Sequence, residues 1–369
     1  MKKMLRATLI AGVVLTMAMG VVVEFAAADT LESLVAGAKK EKTLKTALHF
    51  IKQEHVKRLE AAFNARYGLD IMLEANLTGK YTAKAKQVIK QVNQGAIPAF
   101  DVMVLSEPSY SMMADAGVLE KIEGWENLLP EGSDPSVSPG PIAGLGFIAW
   151  DFYFGYSYRS DMVDAKIFPL AMKDLANPSL QGNAVVSMYM SNITYAVLKY
   201  SPEEVLAIFK AWNQNSVEKY HPRKMAIEVS KGTFALAGFH TTDQYLNAGS
   251  TNGHYKMGLF KDIVPRGILL HVVPKGSQSP NAAKLFTIWM TGKEAVDICG
   301  DGTLLGNILD NGNQKAIALA KQQMSKANLK PVSFFDSEQS YKKLVWLGTA
   351  EGQQFVKSLS QSLQKSQKN

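Results

Sequence analysis

Between Leu44 and Leu105 the hydrophobic period of the chain switches back and forth between strand and helix, and this alternation restricts the fold more than any other feature. Leu44 to Phe50 reads as a strand. A helix over 55–67 follows, with Val56, Leu59, Phe63 and Tyr67 spaced for one apolar face and Gly68 as its C-terminal stop. Leu69 to Leu73 alternates as a strand should, and a second helix carries Ala85, Val88, Ile89 and Val92 on one face before Gly95. Phe100 to Leu105 is more continuously apolar and suits a strand covered on both sides. Strands separated by helices of this length must run parallel, which predicts an α/β layer.

The same logic extends along the chain. A short helix with Leu31, Leu34, Val35 and Ala38 on one face precedes the first strand, and the turn-rich connector Pro130 to Pro141 follows the third. Gly144 to Tyr158 is aromatic-rich and reads as one or two strands, opening a second α/β pattern over about 160–265. There, Ser201, Pro202, Glu203 and Glu204 start a helix over 202–213, and Gly232 to Phe239 reads as a strand. Gly267 to Val273 is another strand, Pro280 opens a helix to Met290, and helix continues towards the C-terminus. In open parallel sheets ligands sit outside the carboxyl ends of the strands. The loops after 44–50 and 100–105 are therefore the first places to look.

The first 28 residues have the build of a secretory signal. Lys2, Lys3 and Arg6 precede an apolar run from Ala7 to Val23, and Ala26-Ala27-Ala28 offers a cleavage site that would leave Asp29 first. No later segment approaches the roughly 18 apolar residues of a membrane span. The expected location is the periplasm. Of the 369 residues 47% are hydrophobic and 20% charged, a globular balance at a length that suggests two domains or one two-lobed unit. The net charge is +7, but lysines are interleaved with carboxylates rather than gathered on one face, so no nucleic-acid partner is expected. Cys299, the single cysteine, sits in an apolar context and reads as a buried structural thiol. There is no G-x-S-x-G, H-E-x-x-H, C-x-x-C or P-loop, and Gly144 to Ala149 fits a dinucleotide pattern only loosely, outside a strand-to-helix turn. Neither an enzyme nor a cofactor or metal is expected.

An ordered series of segments resembles the type 2 periplasmic binding proteins, in particular the family 1 extracellular solute-binding group that includes ferric iron, thiamine and phosphonate receptors. The segments are Ala38 to Leu44, Leu59 to Ile71, Phe100 to Ser106 with Ala114 to Leu119, Tyr158 to Val163, Asp174 to Gly182, and Ala282 to Trp289. The resemblance implies a two-lobed α/β fold with two chain crossovers, near 145–157 and 264–274, forming a hinge. Lobe 1 would take 29–144 plus 268–369, and lobe 2 would take 145–267. It further implies the receptor of an ABC importer, a monomer that captures a small solute between the lobes and delivers it to a membrane permease.

Candidate ligand-binding residues follow from position and resemblance together. His49 and Phe50 end the first strand. Ser106 and Glu107 lie in the loop after the third, where a helix start can accept an anion or Ser106 can simply cap it. Tyr158 joins them through its segment. Ser191 and Asn192 stand where the family's second lobe presents a helix start, and His240, Thr241 and Thr242 follow the strand ending at Phe239. Iron-binding relatives carry two adjacent tyrosines here, and this chain has no Tyr-Tyr pair; iron would be left with Glu107, His240 and the isolated Tyr245. Arg266 at the second crossover favours an anion. The expected ligand is thus a small organic anion such as a carboxylate or phosphonate. The alternatives are a ferric iron receptor of the same family, a sensor subunit, or a secreted enzyme on the same fold.

Overall fold

The computed structural model describes residues 29–49, 51–187, 193–249, 253–300 and 315–364. The predicted signal segment 1–28, Phe50, Ser191 and Asn192 lie outside them. The alternating pattern emerges as expected. Helix α1 (Leu31–Ala38) starts at a Thr30 cap and leads to β1 (Thr43–Ala47), α2 (Gln53–Tyr67), β2 (Met72–Ala75), α3 (Tyr81–Asn93), β3 (Val102–Ser106) and α4 (Glu107–Asp115). Gly68 ends α2 in the left-handed conformation at φ 62°, where a side chain would be strained. Both β1–β2 and β1–β3 pair in parallel.

The aromatic stretch forms one 13-residue strand, β4 (Phe147–Arg159). Its first part, to Tyr153, pairs antiparallel with β9 (Val264–Val272), which also pairs with β3. From Phe154 onward it pairs instead with β7 (Leu236–Thr241), and from Tyr156 also with β8 (Tyr255–Gly258). Strands β5 (Ala184–Ser187) and β6 (Ser216–Tyr220) extend this side in parallel with β7. The sequence suggested two α/β units joined by extended crossovers. The ladder instead runs unbroken as β2-β1-β3-β9-β4-β7-β5-β6, because the long crossover strand is a member of both halves.

Helices α5 (Pro202–Asn215), α6 (Pro222–Lys231) and α7 (Thr242–Ala248) cover the second half. The Ser201 hydroxyl and Glu204 carboxylate close a capping box around the α5 start. Helices α8 (Pro280–Trp289) and α9 (Lys293–Gly300) return to the first half, where Phe63 packs edge to face on Phe286 and tilted against Trp289 in its core. Helix α10 (Lys315–Ala327) packs on α7 and β4, and β10 (Pro331–Val332) pairs with β9. Helix α11 (Glu338–Gly348) bridges α4 and the 3-10 turn Thr194–Leu198, and α12 (Ala350–Gln364) packs on α5. Among the described residues no helix is long and apolar enough to cross a membrane.

Candidate ligand-binding site

On the first half, the ends of β1 and β3 and the starts of α3 and α4 come together. His49 is half-buried and its Nδ1 is hydrogen-bonded with the Tyr81 hydroxyl. The backbone of Gly79 passes over this ring: a Cβ there would stand 3.2 Å from His49 Cε1. Burial first, and Lys84 second, lower the His49 pKa to about 4, so the ring is neutral at neutral pH. The Ser106 hydroxyl turns to Ser109 Oγ at 3.1 Å rather than capping a backbone N–H of α4. Thr82 Oγ1 lies 3.3 Å from the same Ser109 oxygen, which joins the starts of α3 and α4 through side-chain hydroxyls. Two helix starts lined with hydroxyls make an anion-accepting corner.

Glu107 follows directly and is buried. One carboxylate oxygen accepts from the hydroxyl of Tyr195, which belongs to the other half, and the backbone N–H of Ile268 also bonds the carboxyl. Its Oε1 has no hydrogen-bond partner among the described residues. Burial pushes the Glu107 carboxyl well above the usual range; the Ile268 bond and Arg266 oppose this, and Asp336 adds to it. The Tyr195 ring lies between Phe154, with centroids 4.9 Å apart, and Phe334 at 5.2 Å.

The crossover strands form the floor. Arg266 on β9 donates from Nε and Nη2 to Asp151 on β4 at 2.8 and 2.7 Å. The positive charge that the sequence offered to an anionic ligand is therefore matched within the protein. Where β4 changes partners, Phe154 pairs with Thr241, and a bulge places Phe239 at φ 54°. That kink directs His240, Thr241 and Thr242 to the junction of the halves. His240 is fully buried and burial lowers its pKa to about 4; its Nδ1 lies 3.1 Å from the Thr241 carbonyl. The Thr241 N–H donates to Gln244 at 3.0 Å, and Thr242 is buried beside it.

The predicted residues thus separate into groups. His49, Ser106 and Glu107 share the first-half corner, and His240, Thr241 and Thr242 the end of β7. Tyr158 stands apart. It lies four residues beyond Phe154, about 13 Å along the strand, with its ring stacked on Phe168 at 3.9 Å. Tyr245 packs against Tyr255, their ring centroids 4.6 Å apart. Among the described residues no three His, Cys, Asp or Glu side chains gather as a metal site. Cys299 is buried in the first-half core, where burial raises its pKa to about 12 and leaves no reactive thiolate. Tyr195, Asp151, Asp336, Tyr81 and Ser109 were missed. Asp151, a carboxylate inside an otherwise apolar and aromatic run, was the one with a readable signal.

Known structures align over nearly the whole chain. Iron-bound HitA from Pseudomonas aeruginosa matches with TM-score 0.63 at 17% identity, covering 88% of this chain and 99% of that one. The fold is that of the two-lobed periplasmic binding proteins. The substrate-binding protein of an ABC transporter from Agrobacterium tumefaciens matches with TM-score 0.64 at 12% identity, over 90% of this chain and 97% of that one. The periplasmic binding protein AgtB from A. tumefaciens, in complex with agropinic acid, gives 0.56 at 13%, over 86% and 98%. These neighbours are binding proteins rather than enzymes. No family model matches the sequence, and no curated protein does.

Proposed function

We propose that this protein is the periplasmic receptor of an ABC importer, which captures a small organic anion between its lobes and delivers it to a membrane permease without catalysing a reaction. One observation carries the reading: a carboxylate of the first lobe, Glu107, meets a hydroxyl of the second, Tyr195, directly over the two strands that join the lobes. Groups from opposite lobes that meet beside a crossover are placed to enclose a guest when the lobes rotate together. The hydroxyl-lined starts of α3 and α4 supply the anion's donors. The lobes we assign are 29–144 with 268–300, and 145–267 with the helices from Lys315 onward leaning on it. The receptor acts as a monomer exported by its N-terminal segment.

A thermal-shift screen of carboxylates, phosphonates and Fe(III) tests the proposal. A ligand at a hundred times its dissociation constant stabilises the folded state by about 2.7 kcal/mol, which raises the melting temperature measurably. A melting curve that no solute moves, at millimolar concentration, removes the receptor reading. Fe(III) alone shifting the curve would replace the anion with the metal, and a visible phenolate–iron band would then place tyrosine in its coordination.

A further inference from the structure

We propose that Glu107 is the anchor for a protonated amine, so that the solute is a small zwitterion, an amino carboxylate or amino phosphonate, rather than a simple anion. This rests on the receptor reading above and goes beyond it by naming the ligand's second functional group.

An ionised carboxylate offers about four acceptor positions. Glu107 has the Tyr195 hydroxyl and the Ile268 N–H, and its Oε1 is buried without a partner among the described residues. A buried carboxylate needs donors and, best, a cation. The cation nearest in the fold, Arg266, gives both Nε and Nη2 to Asp151 on the neighbouring strand. Asp336 approaches with the same sign as Glu107. Burial disfavours the charged form of Glu107 while no cation among the described residues pairs with it, and an ammonium with three N–H groups supplies both the positive charge and the donors that favour its ionised form.

Tyr195 comes from the second lobe, so opening withdraws its hydroxyl and exposes Glu107 to the gap. The Tyr195 hydroxyl holds a donor position on Glu107 that an ammonium could take in its place. Ser106 is the residue before Glu107, and its hydroxyl group is chained to Ser109 and Thr82 at the paired helix starts. Ser106 and Glu107 are consecutive, so one small guest that carries both an anionic group and an amine can address the hydroxyls and the carboxyl together.

The test uses matched pairs that differ only in the amine: β-alanine against propionate, γ-aminobutyrate against butyrate, and aminomethylphosphonate against methylphosphonate. Thermal shift and calorimetry are run on wild type, Glu107→Gln and Tyr195→Phe. Wild type is expected to bind the amine-bearing member of at least one pair about ten-fold or more tighter than its partner, the scale of a buried charge pair. Glu107→Gln is expected to lose that preference, and Tyr195→Phe to keep it. Equal affinity within every pair that binds, or a preference that survives in Glu107→Gln, overturns the assignment while leaving the receptor reading intact. Silence from all pairs alongside a hit among other anions or Fe(III) overturns the amine alone. Silence everywhere overturns both. The wild-type comparison stands by itself if Glu107→Gln does not fold.

Discussion

His271 shows what burial does to a titratable side chain away from the gap between the lobes. It sits near the end of β9, with its ring 5.6 Å from that of Trp150, and burial lowers its pKa to about 3. The unfolded chain binds a proton on this imidazole near pH 6.5, and the folded chain does not. Its contribution to stability is therefore complete above about pH 6.5 and is lost as pH falls towards the folded value. Between about pH 6.5 and 5 the loss is roughly 2 kcal/mol. His271→Phe keeps an aromatic ring and removes the titration. Its melting temperature should fall less than that of wild type over this interval, and parallel curves for the two proteins would contradict the account. At this scale the sequence is least informative. Glu107 and Tyr195 are 88 positions apart and Asp151 and Arg266 are 115 apart, so their pairing is a property of topology rather than of any local pattern. Arg266 read alone as a charge awaiting an anion, because nothing near it in the chain announces Asp151.

The elements were far more legible, because their signals are local. Ser201 with Glu204 marks the start of α5, and Gly68 marks the end of α2. Strand limits were harder. The alternation at 69–73 placed β2 too early, since the observed strand begins at Met72, where it faces Thr43 of β1. Pairing with a neighbour, not the residues alone, sets that register. A glycine in β9 carries an element-scale consequence that no propensity would reveal. A Cβ on Gly267 would lie 2.3 Å from Cε2 of Phe152, the residue it faces on β4. The two crossover strands can thus lie together only because the Phe152 ring covers bare backbone. Gly267→Ala forces that ring aside and should cost about 1–3 kcal/mol, the usual range for overpacking. Urea unfolding measures it. An unchanged midpoint would mean that Phe152 moves freely and that the close approach is not required.

Across the whole molecule, the two-lobed plan was readable because two blocks of alternating strands and helices flank two isolated extended segments. The destination of the chain end was not, since amphipathic helices state which face is apolar but not which lobe will cover it. Helix α12 buries Phe355 and Leu359, packs on α5, and accepts a hydrogen bond at the Ser362 carbonyl from Asn213, 149 positions earlier. The end of the chain thus braces α5. Truncation after Thr349 should uncover the α5 face beneath α12. Fully burying a Phe or Leu side chain contributes about 1.5–3 kcal/mol, so losing two should cost roughly 3–6 kcal/mol. The loss should be local. Hydrogen exchange in the truncated protein is expected to accelerate across 202–215 while the amides of 43–47 and 102–106 keep their protection. Uniform acceleration throughout would instead mean that the lobes unfold as one cooperative unit. Unchanged protection of 202–215 would show that the second lobe stands without its C-terminal brace.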